Sequence, residues 1–157
     1  MGFDVVLGNG HVIDGTGNPW FKADIGIQDG KIGRVSYTPL DGERVIDVNG
    51  MMVCPGFINL HSHSDGSILY HNNAENCLSM GLVTELVGQC GSSAAPITEE
   101  QRDRIKSITR RRLSPLEEID WLSMDDWLNK LEEEGIGINI GSMVGHGTLR
   151  TIAMGRE

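Results

Sequence analysis

The sequence is short of cysteine, of positive charge and of long apolar runs, and each shortage excludes a class of protein. Its three cysteines lie at irregular spacing, which does not suit a disulfide framework and favours a reducing, cytoplasmic location. Acidic residues outnumber lysine and arginine by 22 to 13, a net charge of -9, so neither nucleic acid nor an anionic membrane surface is an expected partner. No apolar run approaches the roughly 18 residues of a membrane span. The N-terminus also lacks the charged and apolar regions of a secretion signal.

The first third of the chain has the pattern of short strands joined by tight turns. Alternating apolar and polar runs flank Asp29-Gly30, as a type I′ hairpin turn requires. A Gly-Asn-Gly turn signal at residues 8–10 predicts a further hairpin, and residues 44–48 form another alternating strand. We therefore predict a small antiparallel β unit over residues 1–53, with the role of a scaffold.

From residue 54 onward, predicted strands alternate with predicted helices, the order typical of a parallel sheet. The predicted strands cover residues 57–60, 82–89 and 136–144. The predicted helices cover residues 74–80, 99–113, a segment from Ser123 to Gly135, and a segment that opens at residues 145–148. Glu85 is a charge within the otherwise apolar second strand, so it must be paired, protonated or placed near an edge.

The stretch PGFINLHSHSD, residues 55–65, carries the clearest candidate for chemistry. His61 and His63 are two residues apart at the end of a strand, so both imidazoles point the same way and could bind one metal ion. Two solvated histidines in a serine-rich turn are the alternative, because short motifs have many false positives. Cys90 ends the second strand in the same manner, and a thiolate with two imidazoles suits zinc. A small buried apolar residue is the alternative role for a lone cysteine.

Longer motifs carry a resemblance to a known family. The segment MMVCPGFINLHSH, following a β segment with a DGKI turn, resembles the amidohydrolase superfamily of metal-dependent (β/α)₈ barrels. VTELVGQCGSSAAP and INIGSMVGHGTLRTIAMG resemble its D-aminoacylase branch, the N-acyl-D-amino-acid deacylases. The resemblance covers essentially the whole chain. It implies an α/β fold, with part of an antiparallel β-sandwich domain over residues 1–53 and the first three β/α units of an incomplete TIM-like barrel over residues 54–157.

The same resemblance implies roles for individual residues. By position, His61, His63 and Cys90 match zinc ligands of this branch, with the thiolate bridging or balancing charge. Asp65 and His146 are candidates for supporting the metal ligands or facing the substrate, and a packing or capping role for His146 is equally open. Asn59 departs from the pattern, because relatives often carry aspartate there, and this changes the charge beneath the metal. The remaining metal histidines and the catalytic aspartate are expected downstream of this chain.

The function implied by the resemblance is zinc-dependent hydrolysis of the amide bond of small N-acyl-D-amino acids by the complete enzyme. Zinc would polarise the carbonyl and acidify a water, and a carboxylate from a later strand would transfer the proton. One alternative is an amidohydrolase that acts on a different linear or cyclic amide, and another is a non-catalytic remnant or interaction module. A full barrel needs about 200–250 residues. We therefore expect this chain to be part of a larger enzyme and, by itself, to be neither active nor well folded.

Overall fold

The computed structural model describes residues 2–103 and 119–155 and shows a mixed α/β fold with two β-sheets. The chain divides into two compact units, Met1–Pro55 and Gly56–Glu157. Five residues of the helix predicted over 99–113, residues 99–103, are helical, and the rest of that prediction lies outside the described residues. None of the helices in the described residues has the length and hydrophobicity needed to cross a membrane.

The first unit is one five-stranded sheet in which β1 is the central strand. Its strands are β1 (Phe3–Val12), β2 (Phe21–Gln28), β3 (Lys31–Ser36), β4 (Gly42–Asp47) and β5 (Met52–Val53). The β2–β3 hairpin predicted at Asp29-Gly30 is confirmed, because the strands are antiparallel and both turn residues have positive φ, 51° and 70°. Buried Val12, Ala23 and Ile25 form the core of this unit.

Two predictions for the first unit are wrong. The unit is not wholly antiparallel, because β4 and β5 both pair with β1 in parallel, on the edge that β2 leaves free. The predicted hairpin at residues 8–10 is absent, since β1 continues through it with a shift of register between Leu7 and Gly10. Asn9 has a φ of 64°, and a positive φ occurs in β-bulges as well as in turns. Its backbone N–H donates to Asp24 and its side chain donates to Asp47, which fixes the bulge.

The second unit is a three-stranded parallel sheet with helices between its strands, as predicted. Its strands, in spatial order, are β6 (Phe57–Asn59), β7 (Leu82–Val87) and β8 (Asn139–Ser142). Besides the helical residues 99–103, the helices fully within the described residues are α1 (Glu75–Ser79), α2 (Met124–Glu134) and α3 (His146–Met154), and a 3₁₀ turn covers Ser64–Gly66. No strand of the first unit lies between β6 and β7, which pair directly.

Helix α2 shows why the predicted boundaries hold. The Ser123 side chain accepts from the backbone of Asp126, and the Asp126 carboxylate accepts from the backbone of Ser123, which forms a capping box. Gly135, with a φ of 70°, ends the helix. The apolar side of α2 buries Trp127 and Leu131 in the core of this unit, which also contains Val87 of β7 and Ile138.

Candidate metal site

The two histidines of the candidate site follow β6 directly. The backbone N–H of Ser62 donates to the carbonyl of Leu86 at 3.0 Å, so the segment after β6 stays alongside β7. His61 and His63 lie on either side of Ser62, and their ring centroids are 5.5 Å apart. The alternation predicted from the sequence therefore brings the two imidazoles together.

Cys90 reaches the same position from the neighbouring strand. After β7 the chain turns sharply, with φ values of 77° at Gly88, 52° at Cys90 and 78° at Gly91. Gln89, which is largely buried, donates from its side chain to the carbonyl of Leu60 at 2.9 Å and so joins this turn to the histidine segment. A left-handed conformation at a residue other than glycine costs about 1–2 kcal/mol. Such conformations concentrate at functional sites, where the surrounding structure maintains them.

The three candidate ligands converge. One donor atom from each of His61, His63 and Cys90 lies within 4.8 Å of the others, and His61 Nε2 is 3.2 Å from Cys90 Sγ. Zinc bonds of about 2.0–2.3 Å place tetrahedral ligands roughly 3.3–3.8 Å apart, so small adjustments would suffice to share one ion. All three side chains are exposed, which leaves the site open to further ligands and to substrate.

A buried carboxylate lies beneath the histidine segment. Glu85 of β7 is 4% exposed and accepts hydrogen bonds from Asn59 Nδ2 at 3.2 Å and Ser62 Oγ at 3.0 Å, and also from Ser64 Oγ. The Cys77 thiol lies 3.6 Å from the same carboxylate. Burial raises the pKa of Glu85, but the hydrogen bonds led by those of Ser64 and Asn59 outweigh burial and leave the pKa below its ordinary value. The sequence allowed Glu85 to be paired, protonated or near an edge, and the structure shows a fourth state: a carboxylate on the central strand whose donors among the described residues are neutral side chains.

The Asn59 side chain connects the Glu85 carboxylate to the histidine segment. Its side-chain N–H donates to Glu85, while its side-chain oxygen accepts from the backbone N–H of His61 at 3.2 Å. An aspartate at this position could accept from the His61 N–H but could not donate to Glu85. It would also place a second negative charge against Glu85. Sequence reasoning noted both residues separately and missed their contact.

The other two predicted site residues lie outside the three-ligand cluster. Asp65 is half-buried in the 3₁₀ turn after His63; burial raises its pKa, and the Ala94 backbone N–H and His63 act in the opposite direction. His146 is the exposed first residue of α3. The N-cap of that helix is Gly145, so His146 is neither its N-cap nor part of the described core.

The segments after β7 and β8 also hold one another in place. Thr148 donates its backbone N–H to the carbonyl of Gly91 at 3.1 Å, and its hydroxyl accepts from the backbone N–H of Ser93 at 3.0 Å. The Ser93 hydroxyl accepts from the backbone N–H of Gly145 at 3.0 Å. A Cβ at Gly145 would lie 2.6 Å from the backbone of Gly91, so glycine permits the approach. These contacts stabilise the turn that carries Cys90. In the sequence, the residues that make them belong to the motifs GQCGSS and GHGT.

Known proteins resemble this chain over nearly its whole length. N-acyl-D-aspartate deacylase from Alcaligenes xylosoxydans xylosoxydans is 34% identical over 154 residues, 96% of this chain and 30% of that protein. D-aminoacylase from the same organism is 30% identical over 159 residues, 97% of this chain and 31% of that protein. No protein-family profile matches. The chain thus spans about a third of the length of these relatives.

Solved structures give the same result. The crystal structure of N-acyl-D-glutamate deacylase from Bordetella bronchiseptica, in complex with zinc and a phosphonate inhibitor, matches with a TM-score of 0.79 and 30% identity, covering 98% of this chain and 32% of that one. D-aminoacylase, described with a binuclear metal center, matches with a TM-score of 0.80 and 34% identity over the same shares.

These matches place the chain among homologues of the metal-dependent amidohydrolases. More narrowly, the resemblance to the D-aminoacylase branch, the N-acyl-D-amino-acid deacylases, is confirmed.

Proposed function

We propose that the protein carrying this chain hydrolyses the amide bond of N-acyl-D-amino acids, with zinc bound by His61, His63 and Cys90. The convergence of these three donor atoms within 4.8 Å, in a homologue of the deacylases, carries the proposal. The substrate is a small molecule, and the assignment of zinc follows from a donor set of one soft thiolate and two imidazoles.

The chain's own residues supply a fixed ligand set. Hydrogen bonds to Glu85 hold the segment that carries His61 and His63, and Gln89 links that segment to the turn that carries Cys90. Zinc, when bound, supplies Lewis acidity that polarises a carbonyl and acidifies water. We assign the general base and the remaining metal ligands to residues outside this sequence. Asp65 and His146 are proposed to support the ligands or to face the substrate.

We further propose the domain identities that the family implies. Residues 1–53 form part of a β-sandwich domain, and residues 54–157 form the first three β/α units of a TIM-like barrel. The parallel order β6-β7-β8 with intervening helices supports the second assignment. In such barrels the active site lies at the carboxyl ends of the strands, where the three candidate ligands are. None of the three cysteines, Cys54, Cys77 and Cys90, forms a disulfide, which supports the proposal of a cytoplasmic location.

The test is metal content and hydrolysis in the protein as its gene encodes it. We expect zinc to copurify and N-acetyl-D-amino acids to be hydrolysed in preference to their L-enantiomers. His61→Ala and Cys90→Ser should lose both metal and activity. His71→Ala is the matched control, because His71 is an exposed loop histidine outside the three-ligand cluster, and it should retain both. Zinc binding with hydrolysis only of other linear or cyclic amides would refute the substrate assignment, and no metal binding would refute the site.

A further inference from the structure

Glu85 is an ionisable residue that is almost fully buried and is not one of the predicted metal ligands. It lies in β7 opposite Asn59 of β6 and is 4% exposed. Burying a carboxylate is unfavourable unless hydrogen bonds replace its lost hydration. Its donors within the described residues, two hydroxyls, an amide and a thiol, are all neutral groups. The buried charge is therefore held by hydrogen bonds from neutral side chains.

Three of the side chains that donate to Glu85 come from the segment that carries the two candidate histidine ligands. Ser62 lies between the two candidate histidine ligands and Ser64 follows the second, and both hydroxyls donate to the same carboxylate oxygen, Oε2. The other oxygen, Oε1, accepts from Asn59, whose own side-chain oxygen accepts the backbone N–H of His61. The carboxylate thus fixes residues before, between and after the two histidines.

We propose that Glu85 is the positioning residue of the metal site, anchoring the 59–64 segment so that His61 and His63 present their imidazoles towards Cys90. Its consequence for metal affinity rests on the proposed function. Hydrogen bonds to a charged acceptor are roughly twice as strong as those between neutral groups. The pKa of Glu85 lies below its ordinary value, so the carboxylate is charged at neutral pH.

Two readouts on Glu85→Gln test the proposal in the protein as its gene encodes it. Glutamine keeps the shape but removes the charge and replaces one acceptor with an N–H₂ group that faces existing donors. Loss of a residue that orients metal ligands typically weakens metal affinity about 10–100-fold. We therefore expect the Kd for Co²⁺, followed by its thiolate charge-transfer absorption, to rise by about that factor. Without metal, hydrogen exchange should accelerate at the backbone amides of His61, Ser62 and Ser64, each of which donates to a partner in this arrangement.

Leu131→Ala is the matched control for general loss of stability. Leu131 belongs to α2, is 5% exposed and packs in the core of the second unit, so its truncation should destabilise that unit without touching the hydrogen bonds of Glu85. We expect its Co²⁺ affinity to stay within about twofold of the wild type and its exchange at residues 61–64 to rise no more than elsewhere in the second unit, because it removes no group that orients a ligand. The proposal would be overturned if Glu85→Gln left the Co²⁺ affinity and the hydrogen exchange at residues 61–64 unchanged. It would also be overturned if Leu131→Ala altered both quantities as much as Glu85→Gln does. If the wild type binds no metal, the proposed site fails, and the exchange comparison alone decides whether Glu85 positions the segment.

Discussion

The turn between β7 and Cys90 should be intolerant of a single methyl group at Gly88. This glycine has a φ of 77°, and a Cβ built on it would lie 1.9 Å from the carbonyl oxygen of Met143, the residue that follows β8. Real Cβ contacts are essentially never shorter than 3.0 Å, so the two backbones would have to separate by about 1.1 Å or more. The Met143 N–H donates to the carbonyl of Val87 at 3.0 Å, so this separation would also strain the β7–β8 pairing.

We expect Gly88→Ala to destabilise the second unit by about 2–5 kcal/mol, because a left-handed alanine costs about 1–2 kcal/mol and overpacking adds about 1–3 kcal/mol. That is a large part of the roughly 5–15 kcal/mol by which a domain is typically stable. Gly135→Ala is the control, because Gly135 belongs to the same unit and has a φ of 70° but no atom within 4 Å of its added Cβ. It should cost only about 1–2 kcal/mol.

The assay is urea denaturation of both variants, followed by Trp fluorescence, together with Co²⁺ titration. Gly88→Ala should bind Co²⁺ more weakly, because Cys90 lies two residues beyond the displaced backbone, whereas Gly135→Ala should bind as the wild type does. Equal urea midpoints for the two variants would show that the ends of β7 and β8 can move apart without loss of stability. Normal metal affinity in a destabilised Gly88→Ala would show that this turn does not position Cys90.

Three further predictions concern the ligand, the helix cap and acid stability, and a fourth concerns the chain by itself. Cys90→Ser should abolish the thiolate-to-Co²⁺ absorption while Cys54→Ser, at another exposed cysteine, leaves it intact; a retained band would exclude Cys90 as ligand. Ser123→Ala should cost about 0.5–2 kcal/mol by removing the α2 cap, measured by thermal denaturation, and no loss would contradict the capping box. The folded state lowers the pKa of Glu85 from its ordinary value of 4.5. The ionised carboxylate therefore stabilises the folded protein fully above pH 4.5, and this contribution declines as the pH falls through the lower pKa of the folded state. The difference in unfolding free energy between wild type and Glu85→Gln should therefore shrink on acidification, and a constant difference would refute this. The 157 residues expressed alone should associate on size-exclusion chromatography and release no acetate from N-acetyl-D-amino acids, because exposed apolar residues line β6 and follow β8; an active monomer would refute this.

The sequence by itself determined the features that depend on local patterns. Alternation placed His61 and His63 on one side of a strand end, and Asp29-Gly30 specified a hairpin because both residues tolerate positive φ. Long crossovers required parallel strands, and β7 pairs in parallel with both β6 and β8. The motifs around Cys90 and His146 were specific enough to indicate the homologous branch, which the similarity to the deacylases confirms.

Tertiary structure alone decided which distant residues meet. Asn9-Gly10 has the same turn chemistry as Asp29-Gly30, yet it forms a bulge, because strands pair on both sides of β1 and the ladder continues through it. Glu85 was visible as a charge in an apolar strand, but its partners depend on the register between β6 and β7. His61 and Cys90 are 29 residues apart in the chain, and the 3.2 Å between their donor atoms exists only because parallel pairing brings two strand ends to the same edge of the sheet.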